Sequence, residues 1–153
     1  MTLETIFERL TDLDYQAQSL FRDIGLTDDC EFRDVITPNR ADPDERFLCG
    51  ELCDLMILFR RLHQELTYLR LPCSDEHVLR LFSNGRYGYV IQPSSEMRTF
   101  SCGSPVEALI YDEEGSPRWV CTRIEHNGED YYLYGYRSIS LNGLIIRERR
   151  QMV

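Results

Sequence analysis

The residues best suited to chemistry lie between Trp119 and Arg137, in the stretch WVCTRIEHNGEDYYLYGYR. One Trp and four Tyr are interleaved there with Arg side chains around a central Asn-Gly pair. Rings that alternate with Arg favour stacking and cation–π contacts, which proteins use to recognise other proteins or nucleic-acid bases. The same pattern is also typical of a face that packs against another part of the chain. Both interpretations stay open at the level of sequence.

The strand register decides which of these side chains share a face. A two-residue loop at Asn127-Gly128, the dipeptide that type I′ turns prefer, predicts a hairpin with Ile124 and Leu133 on its inward face. A second Asn-Gly pair, at residues 84–85, predicts a similar hairpin with Leu79 on its inward face. The outward faces then form an aromatic and Arg surface made of Tyr87, Tyr89, Trp119, Arg123, Tyr132, Tyr134 and Tyr136.

The second candidate surface is acidic. Residues 1–54 hold 14 Asp and Glu against 5 Arg, so the whole formal net charge of −9 lies in the first third of the chain. Carboxylates spaced on a rigid scaffold can imitate the phosphate array that a nucleic-acid-binding protein expects. They can also serve only to keep a helical surface hydrated. The candidate partner-binding acids are Asp28, Asp29, Glu31, Asp34, Asp42, Asp44 and Glu45.

Signatures of catalysis and of cofactor binding are missing from the sequence. It contains neither a G-x-x-x-x-G-K-[ST] nor a G-x-G-x-x-G phosphate loop. Cys121 and His126 fall on opposite faces of one predicted strand, where they cannot form a nucleophile–base pair. The six Cys are expected to be free thiols, and the three His are too scattered for a zinc site. We therefore expect a protein that is not an enzyme, with no catalytic residue, no metal ligand and no cofactor.

Helices are expected to hold the acidic cluster. Apolar residues recur at alternating three- and four-residue spacings from Leu3 to Ile24, which predicts an amphipathic helix. A second helix is expected to begin at Asp42-Pro43, with Glu45 completing a capping box, and to end at Pro72. Because both helices carry heptad-like seams, they are expected to pair as an antiparallel hairpin, joined by a long connection over residues 26–41.

The second half of the chain predicts β-structure. From about Ser74 the hydrophobic period changes from 3.6 to 2, and Asn-Gly turns separate five or six short strands. Such a chain closes best as a small antiparallel β-barrel of SH3-like or OB-like size. The predicted fold class is therefore α+β, with an acidic helical hairpin over residues 1–72 and the barrel domain over residues 73–153.

A cytoplasmic location is expected from two features of the sequence. It has no run of 18 or more apolar residues, so no transmembrane helix is predicted. Its first residues, MTLETIFERLTDLD, are acidic and amphipathic, whereas a secretory signal peptide is basic and then apolar. No membrane partner is expected on the same grounds.

Four motifs carry a resemblance to a known family: RYGY, WVCTRIEH, YYLYG and LNGLIIR. Together they resemble an uncharacterised small β domain of bacterial proteins that is frequent on plasmids, phages and conjugative elements. The resemblance covers residues 77–149 and leaves the acidic helices outside it. It implies a setting in mobile DNA, and it implies no activity that could be assigned to particular residues.

Three functions follow from these features. The favoured hypothesis is a non-enzymatic, protein-binding inhibitor whose acidic surface occupies the nucleic-acid-binding cleft of a host defence effector, as in anti-CRISPR or anti-restriction proteins. The alternative is a nucleic-acid-binding accessory module that uses the aromatic and Arg face, although a sequence pI of about 4.8 disfavours direct nucleic-acid binding. The third is a structural protein that dimerises through its helical hairpin.

Overall fold

The computed structural model describes residues 1–25, 39 and 41–150. They form two compact units, Met1–Arg70 and Leu71–Val153. Most of the predicted connection over residues 26–41 lies outside the described residues, and so do four of the candidate acids, Asp28, Asp29, Glu31 and Asp34.

The first unit contains helices α1 (Leu3–Asp23) and α2 (Pro43–Arg70). Asp42 caps α2 as predicted, because its Oδ1 accepts hydrogen bonds from the main-chain N–H groups of Asp44 at 2.9 Å and Glu45 at 3.4 Å. The predicted capping box does not close. The Glu45 carboxylate instead accepts from the N–H of Asn39 at 2.6 Å, and therefore ties the residues before the helix to its first turn.

The two helices run antiparallel, which confirms the predicted helical hairpin. Asp14 of α1 bonds to His63 and Arg70 of α2, whereas Phe21, further along α1, meets Phe59 edge to face at 5.9 Å. This pairing staggers the helices, so that the first turns of each extend past the end of the other. The predicted seams are accordingly covered only in part.

Burial within the hairpin reflects this stagger. Leu66 is 3% exposed and Ala17 is 8% exposed, as expected for seam residues. By contrast, Leu3 is 86% exposed and Leu48 is 57% exposed, because each lies on an overhanging end. Met56, which the seam pattern leaves out, is only 7% exposed. Seam residues within the overlap also differ in burial, since Leu13 is 45% and Leu20 is 55% exposed, so the heptad pattern alone does not predict which apolar side chains are buried.

A buried carboxylate links the two helices. Asp14 is 2% exposed, and its oxygens lie 2.9 and 3.0 Å from Nδ1 of His63 and 3.0 Å from a terminal nitrogen of Arg70. Burial by itself would raise the pKa of Asp14, but the hydrogen bonds from His63 and Arg70 outweigh it and hold that pKa below its ordinary value of 3.8. The ionised form of Asp14 is therefore the one that stabilises the hairpin.

The described residues of the second unit form eight strands, β1 (His77–Val78), β2 (Arg80–Leu81), β3 (Tyr87–Ile91), β4 (Glu96–Thr99), β5 (Ser104–Tyr111), β6 (Pro117–His126), β7 (Tyr131–Leu133) and β8 (Ile145–Arg147). They form a five-stranded sheet in the order β1-β8-β5-β6-β7 and a three-stranded sheet in the order β2-β3-β4, with antiparallel neighbours throughout. The larger sheet curls to give a small barrel-like region, which confirms the predicted α+β fold.

The strand count exceeds the five or six expected, partly because one predicted strand divides at Leu79. The N–H of Leu79 donates to the carbonyl of Leu144 at 2.8 Å, and its own carbonyl accepts from Gly143 at 2.8 Å. The residues before Leu79 therefore join the larger sheet as β1, and those after it join the smaller sheet as β2. Leu79 itself is fully buried in the core shared by the two sheets, together with Tyr89, Phe100, Val106, Ala108, Ile110, Ile124, Leu133, Leu141, Leu144 and Ile146.

The Asp14 cluster predicts a pH-dependent stability of the helical unit. Asp14→Asn should lower the free energy of unfolding by about 1–3 kcal/mol, because two basic side chains lose their buried counter-charge. Since the folded-state pKa of Asp14 is lowered, its contribution is present above pH 3.8 and is lost as the pH falls through the folded-state value. Urea unfolding followed by circular dichroism between pH 7 and pH 2 measures both effects. Asp12→Asn, on the same helix but exposed, is the control and should change little.

The close approach of Gly88 to the neighbouring strand leads to a second prediction about stability. A Cβ built at Gly88 would lie 2.1 Å from the carbonyl oxygen of Arg98, which belongs to the neighbouring strand β4. Gly88→Ala should therefore cost about 3 kcal/mol, because main-chain atoms must move apart. Gly115→Ala, in the same unit, meets open space and should cost only about 1–2 kcal/mol from its positive φ. Equal melting temperatures for the two variants would contradict the close approach of β3 and β4.

Candidate functional site

The hairpin of β6 and β7 keeps its predicted faces although its loop is longer than predicted. His126 pairs with Tyr131 and Ile124 with Leu133, so the loop spans residues 127–130 rather than two residues. The Asn127 side chain closes it by accepting from the N–H groups of residues 129 and 130 at 2.9 and 2.8 Å. A shift of two residues in pairing leaves every side chain on its original face, so Ile124 and Leu133 remain inward, each 0% exposed.

Four of the predicted site residues share the outward face of this hairpin. Arg123 lies over the ring of Tyr134 at 3.7 Å, Arg137 over Tyr132 at 4.6 Å, and Arg147 of β8 over Trp119 at 4.2 Å. Tyr134 remains 50% exposed. We call this surface the Arg–aromatic face, and it consists of Trp119, Arg123, Tyr132, Tyr134, Arg137 and Arg147.

The hairpin of β2 and β3 differs from the prediction, because its loop has three residues instead of two. Leu81 pairs with Tyr87, and the N–H of Phe82 donates to the carbonyl of Arg86 at 2.9 Å. This shift of one residue exchanges the two faces of the strand. Tyr87 therefore packs against the core, and Tyr89 is only 3% exposed within it. The prediction that these two rings join the outward face was wrong.

Tyr89 takes part in a buried polar cluster. Its hydroxyl donates to Glu148 at 2.8 Å, and its ring stacks on His77 with 3.7 Å between the ring centres. Burial, reinforced by the hydrogen bond to Glu148, raises the pKa of Tyr89 to about 12. Arg98 also bonds to Glu148, at 2.7 Å, so that this carboxylate joins the two sheets. The cluster stabilises the core, and within it the ring of Tyr89 is not exposed to a partner.

Tyr136 also packs against the core. The alternation of β7 ends at Gly135, whose φ of 77° is accessible at little cost only to glycine. The chain then turns back, with the N–H of Tyr136 bonded to the carbonyl of Leu133 at 3.0 Å, and the Tyr136 ring packs against the buried cluster. The prediction that it extends the outward aromatic row was therefore wrong.

A buried carboxylate positions one end of the Arg–aromatic face. Glu107 of β5 is 3% exposed and accepts hydrogen bonds from Arg147 and Arg149, each at 2.5 Å. Burial alone would raise the pKa of Glu107, but the bonds from Arg149 and Arg147 hold it below its usual value. Sequence reasoning missed this cluster, although the spacing of Arg147 and Arg149 in LIIRERR indicates that they share a face.

Carboxylates of the same unit form ion pairs with two of the arginines on this face and neutralise much of its positive charge. Glu125 pairs with Arg123, and Glu107 pairs with Arg147. The pKa of Glu125 lies below its usual value, because Cys102 and Arg123 both donate to its carboxylate. The arginines therefore present ordered ring-stacked planes more than free positive charge, which suits contact with a protein better than contact with a polyanion.

Three of the predicted acids lie within the described residues, next to the start of α2. Asp42 and Glu45 use their carboxylates on main-chain N–H groups, whereas Asp44 is exposed in the first turn of α2. Further exposed acids, missed as site candidates, follow the helices. Glu4, Glu8 and Asp12 recur every four residues along α1, and α2 adds Glu51 and Asp54. Like charges four residues apart lower the stability of a helix by a few tenths of a kcal/mol per pair, although Glu4 lies in the first turn of α1, where a negative charge is favourable.

The described residues contain no group of three or more His, Cys, Asp or Glu side chains placed to hold a metal ion. Within the same residues, neither α1 nor α2 combines the length and apolar character that crossing a lipid bilayer would require. Each finding concerns the described part of the chain alone.

Comparison with known proteins matches part of the sheet unit to a family. The family described as Domain of unknown function (DUF5348) matches residues 80–147, from the start of β2 to the end of β8. The match includes the Arg–aromatic face and Glu107 but not the acidic helices. No curated protein and no solved structure matches the chain.

The chain contains a single Trp, so the fluorescence of Trp119 reports on the position of Arg147 in the Glu107 cluster. Glu107→Gln should release Arg147 from its position over Trp119, raise the acrylamide quenching of Trp119 fluorescence, and destabilise the sheet unit by about 1–3 kcal/mol. Glu125→Gln is the matched control, since it frees Arg123 and leaves the Arg147 contact in place. Identical quenching in the two variants would show that Glu107 does not position Arg147.

Proposed function

We propose that the protein is a non-enzymatic, protein-binding inhibitor. Its acidic helical surface occupies the nucleic-acid-binding cleft of another protein. The observation that carries this proposal is the row of exposed carboxylates on the helical unit, of which Glu4, Glu8 and Asp12 recur at every fourth residue. Residues four apart rise about 6 Å along a helix, so the row offers evenly spaced negative charges on a rigid rod.

Charge segregation supports the same proposal. The first third of the chain holds all of the excess negative charge, and the remainder is neutral. Evenly spaced carboxylates attract the basic groups of a cleft that otherwise holds a phosphate backbone. The proposal includes Asp28, Asp29, Glu31 and Asp34, which continue this acidic run in the sequence, and Asp44 at the start of α2.

The partner we propose is a nucleic-acid-binding defence effector, of the kind that anti-CRISPR or anti-restriction proteins block. The resemblance of residues 77–149 to a small domain of mobile-element proteins motivates this setting. An acidic inhibitor would benefit a mobile element, because a defence effector that is blocked by the inhibitor no longer binds the DNA of the element. The interaction would take place in the cytoplasm.

A second candidate function is the binding of single-stranded nucleic acid by the Arg–aromatic face. The stacking of Arg123 on the half-exposed ring of Tyr134 favours it, because bases stack on such platforms. Two features oppose it: internal acids already pair with Arg123 and Arg147, and the sequence pI is about 4.8. We therefore rank it below the inhibitor.

Charge reversal on α1 tests the inhibitor directly. The triple variant Glu4→Arg, Glu8→Arg and Asp12→Arg should lose at least about tenfold in affinity for a captured partner, because several charge pairs across the interface become repulsive. The matched control reverses Glu113, Glu114 and Glu129, which are exposed in turns of the sheet unit and change the net charge equally. Circular dichroism verifies that the helices of both variants remain folded.

The measurement has two stages. The tagged protein is first used to capture partners from bacterial lysate treated with nuclease. The purified partner is then bound to fluorescent DNA or RNA, and displacement by the wild type and by each triple variant is followed by anisotropy. Displacement by the wild type and the control, but not by the α1 variant, supports the proposal. Equal displacement by both variants, or a partner that binds nucleic acid undisturbed, contradicts it.

A further inference from the structure

The helical hairpin buries only part of its apolar pattern. In each helix the apolar residues follow two positions of a heptad, as they do in bundles of four helices. One position, which includes Ala17 and Leu66, is buried where α1 and α2 overlap. The other position forms a row in each helix that is largely exposed. These exposed rows, with seven residues between successive members, are Ile6, Leu13 and Leu20 in α1 and Leu48, Leu55 and Leu62 in α2.

Both exposed rows lie on the same side of the hairpin. Leu13 directly precedes Asp14, and Leu62 directly precedes His63, and Asp14 and His63 bond to each other across the hairpin at 2.9 and 3.0 Å. Successive residues are about 100° apart around a helix, so each row is rotated by about 100° in the same sense from the line that joins the helices. A two-fold axis normal to their common plane relates two antiparallel helices, so equal rotations lead to the same side. The hairpin therefore has one apolar side.

Most of the acidic surface of α1 lies away from this apolar side. Glu4, Glu8 and Asp12 are on average about 140° around the helix from the exposed row of α1. On α2, the exposed Glu51 and Glu65 flank the other row, as charged residues flank the apolar seam of a coiled coil. A partner on the apolar side would thus leave the carboxylates of α1 accessible.

The apolar side has the area that a stable dimer requires. Six of its side chains are each between 42% and 62% exposed and together present on the order of 500 Å² of apolar surface. They are five members of the exposed rows, Ile6, Leu13, Leu20, Leu48 and Leu55, and the neighbouring Leu58. A stable interface buries about 800 Å² per partner, of which about 65% is apolar in homodimers, or roughly 500 Å².

A second helical unit matches this surface better than the sheet unit does. Among the described residues of the sheet unit, the exposed large apolar side chains lie on five separate segments, at Val78, Leu81, Met97, Tyr111 and Tyr134. Heptad rows pack best against helices with the same repeat, because the side chains of one helix enter the holes between side chains of the other. Another copy of the chain supplies such helices.

We propose that the apolar side of the helical unit binds the same side of a second copy, so that two hairpins form a four-helix bundle. A two-fold interface joins identical surfaces, so every side chain of the exposed rows is buried twice in one contact. The dimer carries the acidic rows of both α1 helices on its outside. It does not depend on the inhibitor function, and its test uses the protein alone, so failure of either proposal leaves the other standing.

The mass of the whole protein in solution tests the dimer. Sedimentation equilibrium from about 1 to 100 μM protein should show a monomer that gives way to a dimer as the concentration rises, or a dimer throughout. The dimer has a mass of about 36 kDa, twice the 18.1 kDa of one chain. A monomer at every concentration would mean that the rows are covered within the chain or left to another protein. A trimer or tetramer would mean that the bundle is not made of two hairpins. Either result overturns the proposal.

Matched charge substitutions test which side of the hairpin forms the interface. The double variant Leu13→Glu and Leu55→Glu should weaken dimerisation by about a hundredfold or more, because four unpaired carboxylates would be buried in the bundle. The control, Tyr15→Glu and Ile57→Glu, adds the same charge at exposed apolar positions two residues further along each helix, about 200° around it. The control should remain a dimer.

Sedimentation equilibrium measures both double variants, and circular dichroism verifies that their helices remain folded. Equal weakening of the dimer in the two variants would assign the effect to net charge rather than to the exposed rows. An unchanged dimer in the Leu13 and Leu55 variant would place the interface elsewhere on the chain. Either outcome overturns the proposal.

Discussion

The pairing of β5 with β6 is the constraint on which the sheet unit depends. Eight consecutive residue pairs, from Ser104 with Ile124 to Tyr111 with Pro117, determine the side to which every side chain of β6 points. Ile124 is thereby buried, while Trp119 and Arg123 are placed on the opposite face. The core and the Arg–aromatic face are thus two consequences of one register.

Buried carboxylates held by basic side chains recur in both units. Asp14 binds His63 and Arg70, and Glu107 binds two arginines. Glu148 likewise binds Arg98, with Arg150 more distant. The chain contains no Lys, and the planar guanidinium of Arg suits this role because its donors form a fork that matches a carboxylate. These clusters connect segments that are far apart in sequence, and each leaves its carboxylate ionised at neutral pH.

The two units present surfaces of different chemistry. The helical unit exposes carboxylates along α1 and at the start of α2, which are solvated charges that act at a distance. The sheet unit exposes rings covered by arginines whose charge is partly neutralised, which is a surface for short-range contact. A protein that contacts a partner with both would obtain fast association from the first and specificity from the second.

The local pattern of the sequence was sufficient to predict the two helices, the cap at Asp42 and the side chains that share each face of β6 and β7. Those features depend on residues close together in the chain. The first hairpin was not determined in this way, because an Asn-Gly pair permits loops of two or three residues and one residue of difference moved Tyr89 from the surface to the core. Glu107 with Arg149, and Asp14 with Arg70, join residues more than 40 positions apart. Only the tertiary structure decides such contacts, because a buried charge finds its partner across the fold rather than along the chain.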